Sequence, residues 1–172
     1  MKQRRKRNYI NNRQLFDVIS QYKTDLIEHP DKRIPDYIGE AIMLIANRLA
    51  SKSNFCGYSF KEEMIGDGIE NCIMYIKNFN PEKSNNPFAY ITQIIKFSFI
   101  RRIQKEKKQQ YVKLKNIQNH FTFEELNNEM NDRFDRDLYE NNQEFIRQFE
   151  KNLVDKKQKS IKPKTVLDEF IE

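Results

Sequence analysis

The chain has 172 residues, of which 33% are charged and 38% are hydrophobic, and its mean hydropathy is −0.88. That composition supports one modest hydrophobic core with polar tails, or two very small domains, and excludes a chain that is compact from end to end. With four Gly and five Pro there is little material for hairpin turns, so the long helical patterns predict an all-α fold.

Two further features predict a cytoplasmic protein. The longest apolar stretch, 38–50, is interrupted by polar residues and is too short to span a bilayer, and no apolar segment follows the basic N-terminus as in a signal peptide. The two cysteines, Cys56 and Cys72, stand in apolar surroundings without a Cys-x-x-Cys partner. We expect both to be reduced thiols buried in the core.

The net charge of +6 is concentrated in two segments. Residues 1–7 carry five bases, and residues 96–108 carry six bases against Glu106. Concentrated basic segments on a mildly acidic body are typical of proteins that bind a polyanion such as DNA. The alternative is that each segment is a solvated helix face.

The first half of the chain predicts three helices. Asn12 is the expected N-cap of the first, His29 and Pro30 end it, and its apolar residues recur at helical spacing: Leu15, Ile19, Tyr22 and Leu26. Asp36 is the expected cap of the second, whose apolar stripe is broad: Ile38, Ala41, Ile42, Ile45, Ala46 and Leu49. A capping-box pattern over 59–62 predicts the start of the third, which should end near Phe79. The apolar residues expected on one face of this third helix are Met64, Ile65, Ile69, Cys72, Ile73 and Ile76.

The second half predicts a fourth helix and a weaker fifth. Pro87 suits the first turn of the fourth helix, whose apolar residues Phe88, Ile91, Ile95 and Phe99 recur at helical spacing before the basic segment. A second capping box over 122–125 precedes one long or broken helix in a segment, 122–150, with nine acids and three Arg. In residues 151–164 the charge becomes positive, with six Lys and one acid, Asp155, and this composition predicts a flexible tether. The last eight residues, TVLDEFIE, interleave apolar and acidic side chains.

Nothing in the sequence indicates catalysis. His29 and His120 have no partners at metal-site spacing, and there is no Gly-rich phosphate loop or nucleophile elbow. The acids between Glu124 and Glu150 alternate with apolar residues at helical spacing, which favours a solvated face over a Mg²⁺ site. We therefore expect no enzyme, no metal and no cofactor, and a nuclease built on these acids is a distant alternative.

The fourth helix has more apolar surface than one buried stripe requires. Tyr90, Gln93 and Phe97 are the surplus residues, and cations follow them: Lys96, Arg101, Arg102, Lys105, Lys107 and Lys108. Aromatic faces beside phosphate-binding cations are what single-stranded or locally melted DNA requires. The alternative is a deeply buried helix with a basic end.

Residues 63–101 resemble region 2 of the bacterial sigma factors. The runs EMIGDGIENCIMYIKNFN and PEKSNNPFAYITQIIKFSFIRR align without a gap to that region's acidic-apolar helix, its Phe-Asp pair, its polar connector and its Tyr-Ala-Thr helix. The match covers about a quarter of the chain, and the helix before it suits the first helix of region 2. Three departures stand out: Gln93 and Ile94 replace a Trp pair, Gly66 replaces a Gln of the polymerase-docking helix, and no −35-reading helix-turn-helix follows.

With the opening NYINNRQL, the run IGEAIMLIA and the terminal LDEFIE, the chain resembles the late-transcription sigma factors of T-even-type bacteriophages. The resemblance implies a factor that directs the host's core RNA polymerase to A·T-rich −10 elements of phage late promoters in the infected bacterium. It also implies tethering to the phage sliding clamp through the C-terminus. A late co-activator is a further candidate partner.

The resemblance implies three sets of contact residues. The first set would lie against the clamp helices of the polymerase β′ subunit and consists of Met64, Ile65, Asp67, Gly68 and Glu70. The second set would face promoter DNA and consists of Tyr90, Gln93, Lys96, Phe97 and Arg101. The basic segment adds Arg102 and Lys105 as expected phosphate contacts. The third set would enter a hydrophobic pocket of the sliding clamp and consists of Val166, Leu167, Phe170 and Ile171. Apolar anchors among acids after a Lys-rich tether independently favour a tail that folds into a groove, although a last helical turn packed on the body is the alternative.

The sequence thus predicts a basic leader at 1–7, a sigma-region-2-like helical domain at 8–112, an acidic helical segment at 113–154, and the tether with its clamp-binding epitope at 155–172. Two other functions stay open. One is a sequence-independent nucleic-acid-binding protein, which would bind any DNA equally. The other is a polymerase-binding co-activator or anti-sigma factor that does not read DNA.

Overall fold

The computed structural model describes residues 10–120 and 133–161, and every regular element in this part of the chain is helical. The prediction of an all-α fold is confirmed. The five α-helices are α1 Asn12–Glu28, α2 Asp36–Ala50, α3 Lys61–Tyr75, α4 Pro87–His120 and α5 Arg133–Ile161, and a 3₁₀ turn, Ile76–Asn78, follows α3. Among these helices none is both long and apolar enough to cross a bilayer.

The chain forms two compact units, Met1–Gln104 and Lys105–Glu172. The division falls inside α4, whereas the sequence-based division placed a boundary at residue 112. The long helix therefore belongs to both units, its first half to one and its second half to the other.

The first unit is built around one hydrophobic core. Most residues of the stripes predicted on α1, α2 and α4 are buried: Leu15, Ile19 and Tyr22 on α1, six residues from Ile38 to Leu49 on α2, and Ile91, Ile95 and Phe99 on α4. The other two, Leu26 and Phe88, are partly buried against this core. In the core α2 packs against both α1 and α3. These predictions are confirmed because a spacing of three or four residues puts the side chains on one helix face, which then has to be covered.

The helix starts differ from the sequence-based expectation. Asn11 caps α1, accepting from the backbone N–H groups of Arg13 and Gln14, so the assignment to Asn12 was wrong by one residue. The Asn12 side-chain oxygen instead accepts from the backbone N–H of Phe88, at 3.1 Å. Asn12 therefore joins the start of α1 to the start of α4.

The caps predicted for α2 and α3 were also wrong. Pro35 precedes α2 and Phe60 precedes α3, and neither makes a side-chain capping hydrogen bond. Asp36 is instead the first residue of α2, where its charge still suits the helix dipole. At the start of α3 the Phe60 ring lies 5.1 Å from that of Tyr58, and both rings pack against the core. Apolar contacts define this helix start.

Gly68 lets α3 approach α4 closely. A Cβ on this residue would lie 3.0 Å from Cε1 of Phe99 and 3.1 Å from Cγ2 of Ile95, both in the core. Gly66, two residues earlier, faces open space. Only the second glycine is therefore required by the packing of the two helices.

The two cysteines, both free, have different environments. Cys72 is buried beside the backbone carbonyl of Ile91, and burial raises the pKa of its thiol to about 12. Cys56 is exposed, in the turn between α2 and α3, so the prediction that both thiols are buried was wrong for this residue. Its neighbour Phe55 takes the core position, with its ring 5.3 Å from Phe99.

In the second unit, the last part of α4 pairs with α5 in antiparallel orientation. The Tyr111 ring stacks on Phe149 at 4.6 Å, and the Tyr111 hydroxyl donates to Glu150 at 3.0 Å. Further along α4, Gln118 donates to Gln143 at 3.1 Å. The partner on α5 thus has a lower residue number where the residue on α4 has a higher one, so the two helices are antiparallel. A stacked aromatic pair and polar side chains thus hold the two helices.

Glu150 lies at the centre of the polar contacts in this pair. Its carboxylate is 3.2 Å from the ammonium of Lys115 and accepts from the Tyr111 hydroxyl. These two hydrogen bonds, that of Lys115 first, lower the pKa of Glu150. The bond to Glu150 is in turn the main cause of the raised pKa of Tyr111.

The predicted tether is partly helical. Helix α5 continues to Ile161, so the expectation of a flexible segment over 151–164 was wrong for 151–161. Lys and Gln are good helix formers, and the helix-breaking Pro163 stands beyond this range. The basic leader, the capping box at 122–125 and the terminal TVLDEFIE lie outside the described residues.

Candidate nucleic-acid interface

One face of α4 in the first unit is exposed and combines an aromatic ring with polar and cationic side chains. Gln93, Lys96, Phe97 and Arg101 are exposed, and their spacing of three or four residues puts them on the same side of the helix. Phe97 leaves 49% of its surface exposed, which is unusual for a phenylalanine. The opposite side of the helix lies in the core, so the exposed face is presented from a rigid support.

Tyr90 is held in place. Its hydroxyl donates to the backbone carbonyl of Tyr75 at 2.9 Å, and its ring lies 5.3 Å from the ring of the buried Phe79. Burial is the main cause of its raised pKa. The expectation that Tyr90 is surplus surface was therefore wrong, since stacking on a base would require it to give up these contacts.

The arginines predicted to contact phosphate are both engaged with α3. Arg102 donates from Nε to Asp67 Oδ2 at 2.7 Å and from Nη2 to Oδ1 at 2.9 Å. Arg101 is exposed, and its Nη2 donates to Asn71 Oδ1 at 3.0 Å. Lys105, the remaining residue of the predicted set, is exposed and belongs to the second unit.

The α3 residues predicted to contact polymerase divide into inner and outer positions. Met64 is fully buried and Gly68 is buried against α4, so their assignment to a docking surface was wrong. Ile65 packs partly against the core, and the Asp67 carboxylate is occupied by Arg102. Glu70 is exposed as expected. The acidic-apolar pattern was read as a surface, whereas its apolar part is largely the buried side of an amphipathic helix.

The exposed face of α3 includes Met74, which the sequence did not single out, and Ile73, whose assignment to the apolar stripe of the helix was wrong. Ile73 is 47% exposed and Met74 is 54% exposed, and they follow Glu63, Gly66 and Glu70 at helical spacing. We refer to these five residues as the α3 outer face. The signal was available, because positions three and four residues beyond the exposed acids fall on the same side of the helix.

The clamp-binding set, Val166, Leu167, Phe170 and Ile171, lies outside the described residues and stays a prediction. Within residues 10–120 and 133–161, no three His, Cys, Asp or Glu side chains come together as a metal site requires. The exposed residues of α4 and α3 described above offer an aromatic ring, apolar side chains, hydrogen-bonding groups and charge.

The sequence matches no protein-family model, and no curated protein is similar to it at a significant level. Functional assignment accordingly depends on the residues of this chain. Two surfaces of the first unit are the candidates for this assignment: the α3 outer face, and the α4 face of Gln93, Lys96, Phe97 and Arg101.

Proposed function

We propose that this chain is a non-enzymatic promoter-specificity factor of the sigma type, which directs bacterial core RNA polymerase to A·T-rich −10 elements of phage late promoters. The observation that supports the proposal most directly is the exposed α4 face, where Phe97 lies among Gln93, Lys96 and Arg101. The other side of this part of α4 is buried in the hydrophobic core. The resemblance of residues 63–101 to sigma region 2 supports the same assignment.

Each residue of this face has a distinct part in the proposal. Phe97 offers a flat apolar surface on which an unpaired base of the melted −10 element stacks. Lys96 and Arg101 neutralise neighbouring phosphates, which gives affinity without sequence selection. Gln93 supplies both a donor and an acceptor, and this pair suits the edge of an adenine.

Polymerase docking is assigned to the α3 outer face. Glu63 and Glu70 flank the exposed apolar surface of Ile73 and Met74, and an apolar centre within a charged rim is the usual composition of a protein interface. The β′ clamp helices are the partner that the resemblance implies. Nucleotide addition belongs to the polymerase, so this chain needs no catalytic group.

The terminal residues 165–172 are assigned to the sliding clamp. A clamp threaded on DNA would raise the local concentration of the factor near promoters without adding a DNA contact. Deletion of 166–172 should abolish clamp-stimulated transcription and leave clamp-independent transcription almost unchanged. Proportional loss of both would contradict the tethering role.

Run-off transcription tests the main proposal. Core polymerase with the full chain should initiate only on templates with an A·T-rich −10 element, and more strongly with sliding clamp present. Phe97→Ala should cost about 1–3 kcal/mol of open-complex stability, the usual value of one base stack. The cost should disappear on a template already mismatched at −10, where no melting is required.

Val112→Ala is the matched control, because Val112 is 46% exposed on the same helix and has no part in the proposal. Equal transcription with and without the −10 element would favour the sequence-independent nucleic-acid-binding protein. Full activity of a variant with Gln at Lys96 and Arg101 would favour the co-activator or anti-sigma function.

A further inference from the structure

The helix pair of the second unit has two unlike sides. On one side, the Lys115 ammonium and the Glu150 carboxylate are 3.2 Å apart. Leu114 and Phe149 directly precede these two residues, and each is rotated by about 100° from its neighbour, because an α-helix has 3.6 residues per turn. In an antiparallel pair, a step back along either helix turns toward the same side. Leu114 and Phe149, both partly buried, therefore lie together on the side opposite the ion pair.

This second side is apolar over several helical turns. Ile117 follows Leu114 by three residues and is 50% exposed, while Phe145 precedes Phe149 by four residues and stacks on it at 6.3 Å. Leu138, seven residues before Phe145, falls on the same side of α5 and is 52% exposed. We refer to these five residues as the apolar face of the second unit. Helices in proteins are stabilised mainly by covering such a face.

Lysines and amides stand along the edges of the apolar face. Lys113 is exposed and precedes Ile117 by four residues, and Lys156 is exposed and follows Phe149 by seven. Glu106, seven residues before Lys113, is partly buried. Along the edge of α5 stand exposed, uncharged amides: Asn141, Gln148 and Asn152. The face therefore suits a partner that combines apolar anchors with negative charge.

The segment 165–172 of this chain has that chemistry. Its sequence, TVLDEFIE, interleaves apolar residues with three acids, Asp168, Glu169 and Glu172. The segment belongs to the same unit as the face, and three residues that include Pro163 separate it from the end of α5 at Ile161. A proline interrupts helical hydrogen bonding, so the chain can leave the direction of α5 at this point.

The segment is long enough to return to the face. Phe145 lies sixteen residues before Ile161 on α5, which is about 24 Å along the helix axis. Phe170 follows Ile161 by nine residues, which span up to about 30 Å when extended. Phe170 can therefore reach the level of Phe145, and by the same measure Leu167 can reach that of Phe149.

We infer that residues 165–172 dock on the apolar face of the second unit, with Leu167, Phe170 and Ile171 against it and the acids toward the lysines. A consequence for the sliding clamp rests on the proposed function. The same three apolar side chains cannot enter the clamp and cover the face at once, so the two sites compete for the segment. The affinity for the clamp is then reduced in proportion to the fraction of chains whose segment is free.

The first arm of the test uses the full chain with Phe170→p-benzoylphenylalanine, a photoactivated cross-linker, in a mixture of isotopically light and heavy copies. Illumination should join residue 170 to Ile117 and Phe145 or their neighbours within single copies, as located by tandem mass spectrometry. Cross-links between a light and a heavy copy would place the segment on a second copy and overturn the inference. Cross-links confined to 121–132, or none to α4 and α5, overturn it as well.

Ile117→Asn tests the face itself, because the side chain is half exposed and its loss leaves the helix pair folded. The substitution should weaken docking about tenfold, the effect of losing one covered aliphatic side chain, and so lower the cross-link yield. Val112→Asn is the matched control, since Val112 is 46% exposed on the same helix but lies three residues before Lys115, on the polar side. Equal losses of yield in the two variants, with circular dichroism unchanged, contradict docking on this face.

The second arm measures binding of the full chain to the sliding clamp. Ile117→Asn should tighten binding by up to about tenfold if nine parent chains in ten are docked, and Val112→Asn should bind like the parent. If the parent binds the clamp and Ile117→Asn binds no tighter, the competition is overturned and the proposed clamp role stands. If neither binds the clamp while the first arm succeeds, the clamp role is overturned and the docking stands.

Discussion

Over the residues that the structure describes, the two units of this chain are both helical, but different contacts hold them. In the first, helices α1 to α4 surround one cluster of fully buried apolar side chains such as Ile42 and Phe99. In the second, the described residues include one buried apolar side chain, Ile146, and the helix pair depends on the Tyr111–Phe149 stack and the contacts of Glu150. A long amphipathic pattern therefore predicts a helix equally well in both, but it does not predict how firmly that helix is held.

The difference bears on function. A recognition face works best on an element that does not rearrange, and the Phe97 face stands on the half of α4 whose other side is in the core. A helix pair with few buried apolar groups opens locally at lower cost, so we expect faster amide exchange in the second unit.

The most direct comparison is between two phenylalanines. Phe99→Ala should destabilise the first unit by about 3–5 kcal/mol, because it empties a fully buried ring site. Phe149→Ala should cost the second unit less, with about 0.5–1.5 kcal/mol from the lost stacking on Tyr111 and a smaller burial term. Chemical denaturation followed by circular dichroism and by tyrosine fluorescence measures both. Equal losses would mean that the two units are held in the same way.

Two glycines on α3 test how closely the core is packed. Gly68→Ala should cost about 1–3 kcal/mol, since its Cβ would press on Phe99 and Ile95. Gly66→Ala should stabilise the chain by about 0.5–1 kcal/mol, because it improves helix propensity at an open position. The unfolding free energies of the two variants should therefore differ in sign relative to the parent. A neutral Gly68→Ala would show that α4 can move away from α3 without penalty.

The two thiols contrast a buried and an exposed site within the first unit. Iodoacetamide should label Cys56 rapidly and Cys72 only on unfolding, which mass spectrometry of the peptides can follow. The raised pKa of Cys72 has a consequence for stability: the folded state keeps the thiol proton up to about pH 12, while the unfolded state loses it near 9. Stability should therefore fall as the pH rises from about 9 to about 12.

Cys72→Ala provides the control for that titration. The variant should lose stability overall, but the part of the alkaline decline that belongs to this thiol should be absent. An alkaline decline as steep as that of the parent would assign the effect to other groups, such as Tyr22 and Tyr90, whose pKa values are also raised by burial.

The smallest effect is expected in the second unit at acid pH. The pKa of Glu150 is lowered by Lys115 and Tyr111, so its contribution is present above the ordinary carboxyl pKa and is lost as the pH falls through the lowered value. Glu150→Gln should remove this acid dependence from amide exchange along α5 and leave exchange in α2 unchanged. Acid-dependent exchange that persists in Glu150→Gln would show that other carboxylates dominate.

Helical periodicity was enough to predict the helices of the first unit and most of their buried side chains. Leu15, Ile19 and Tyr22 on α1, and Ile91, Ile95 and Phe99 on α4, were assigned to the core from spacing alone, and the structure confirms them. This succeeded because helical periodicity is a local property: side chains three or four residues apart share a face whatever the rest of the fold does.

Which residues of the candidate sites are exposed and unoccupied depends on contacts between helices. The pairing of Asp67 with Arg102, the hydrogen bond from Tyr90 to Tyr75, and the close approach at Gly68 all join residues far apart in the chain. Such contacts depend on which helix covers which face, and at what distance, so they carry no periodic signal in a single sequence. The same physical reason explains why Met64 was assigned to a docking surface although it is buried. An apolar residue on an amphipathic helix gives the same sequence pattern whether it packs in the core or at an interface with a partner.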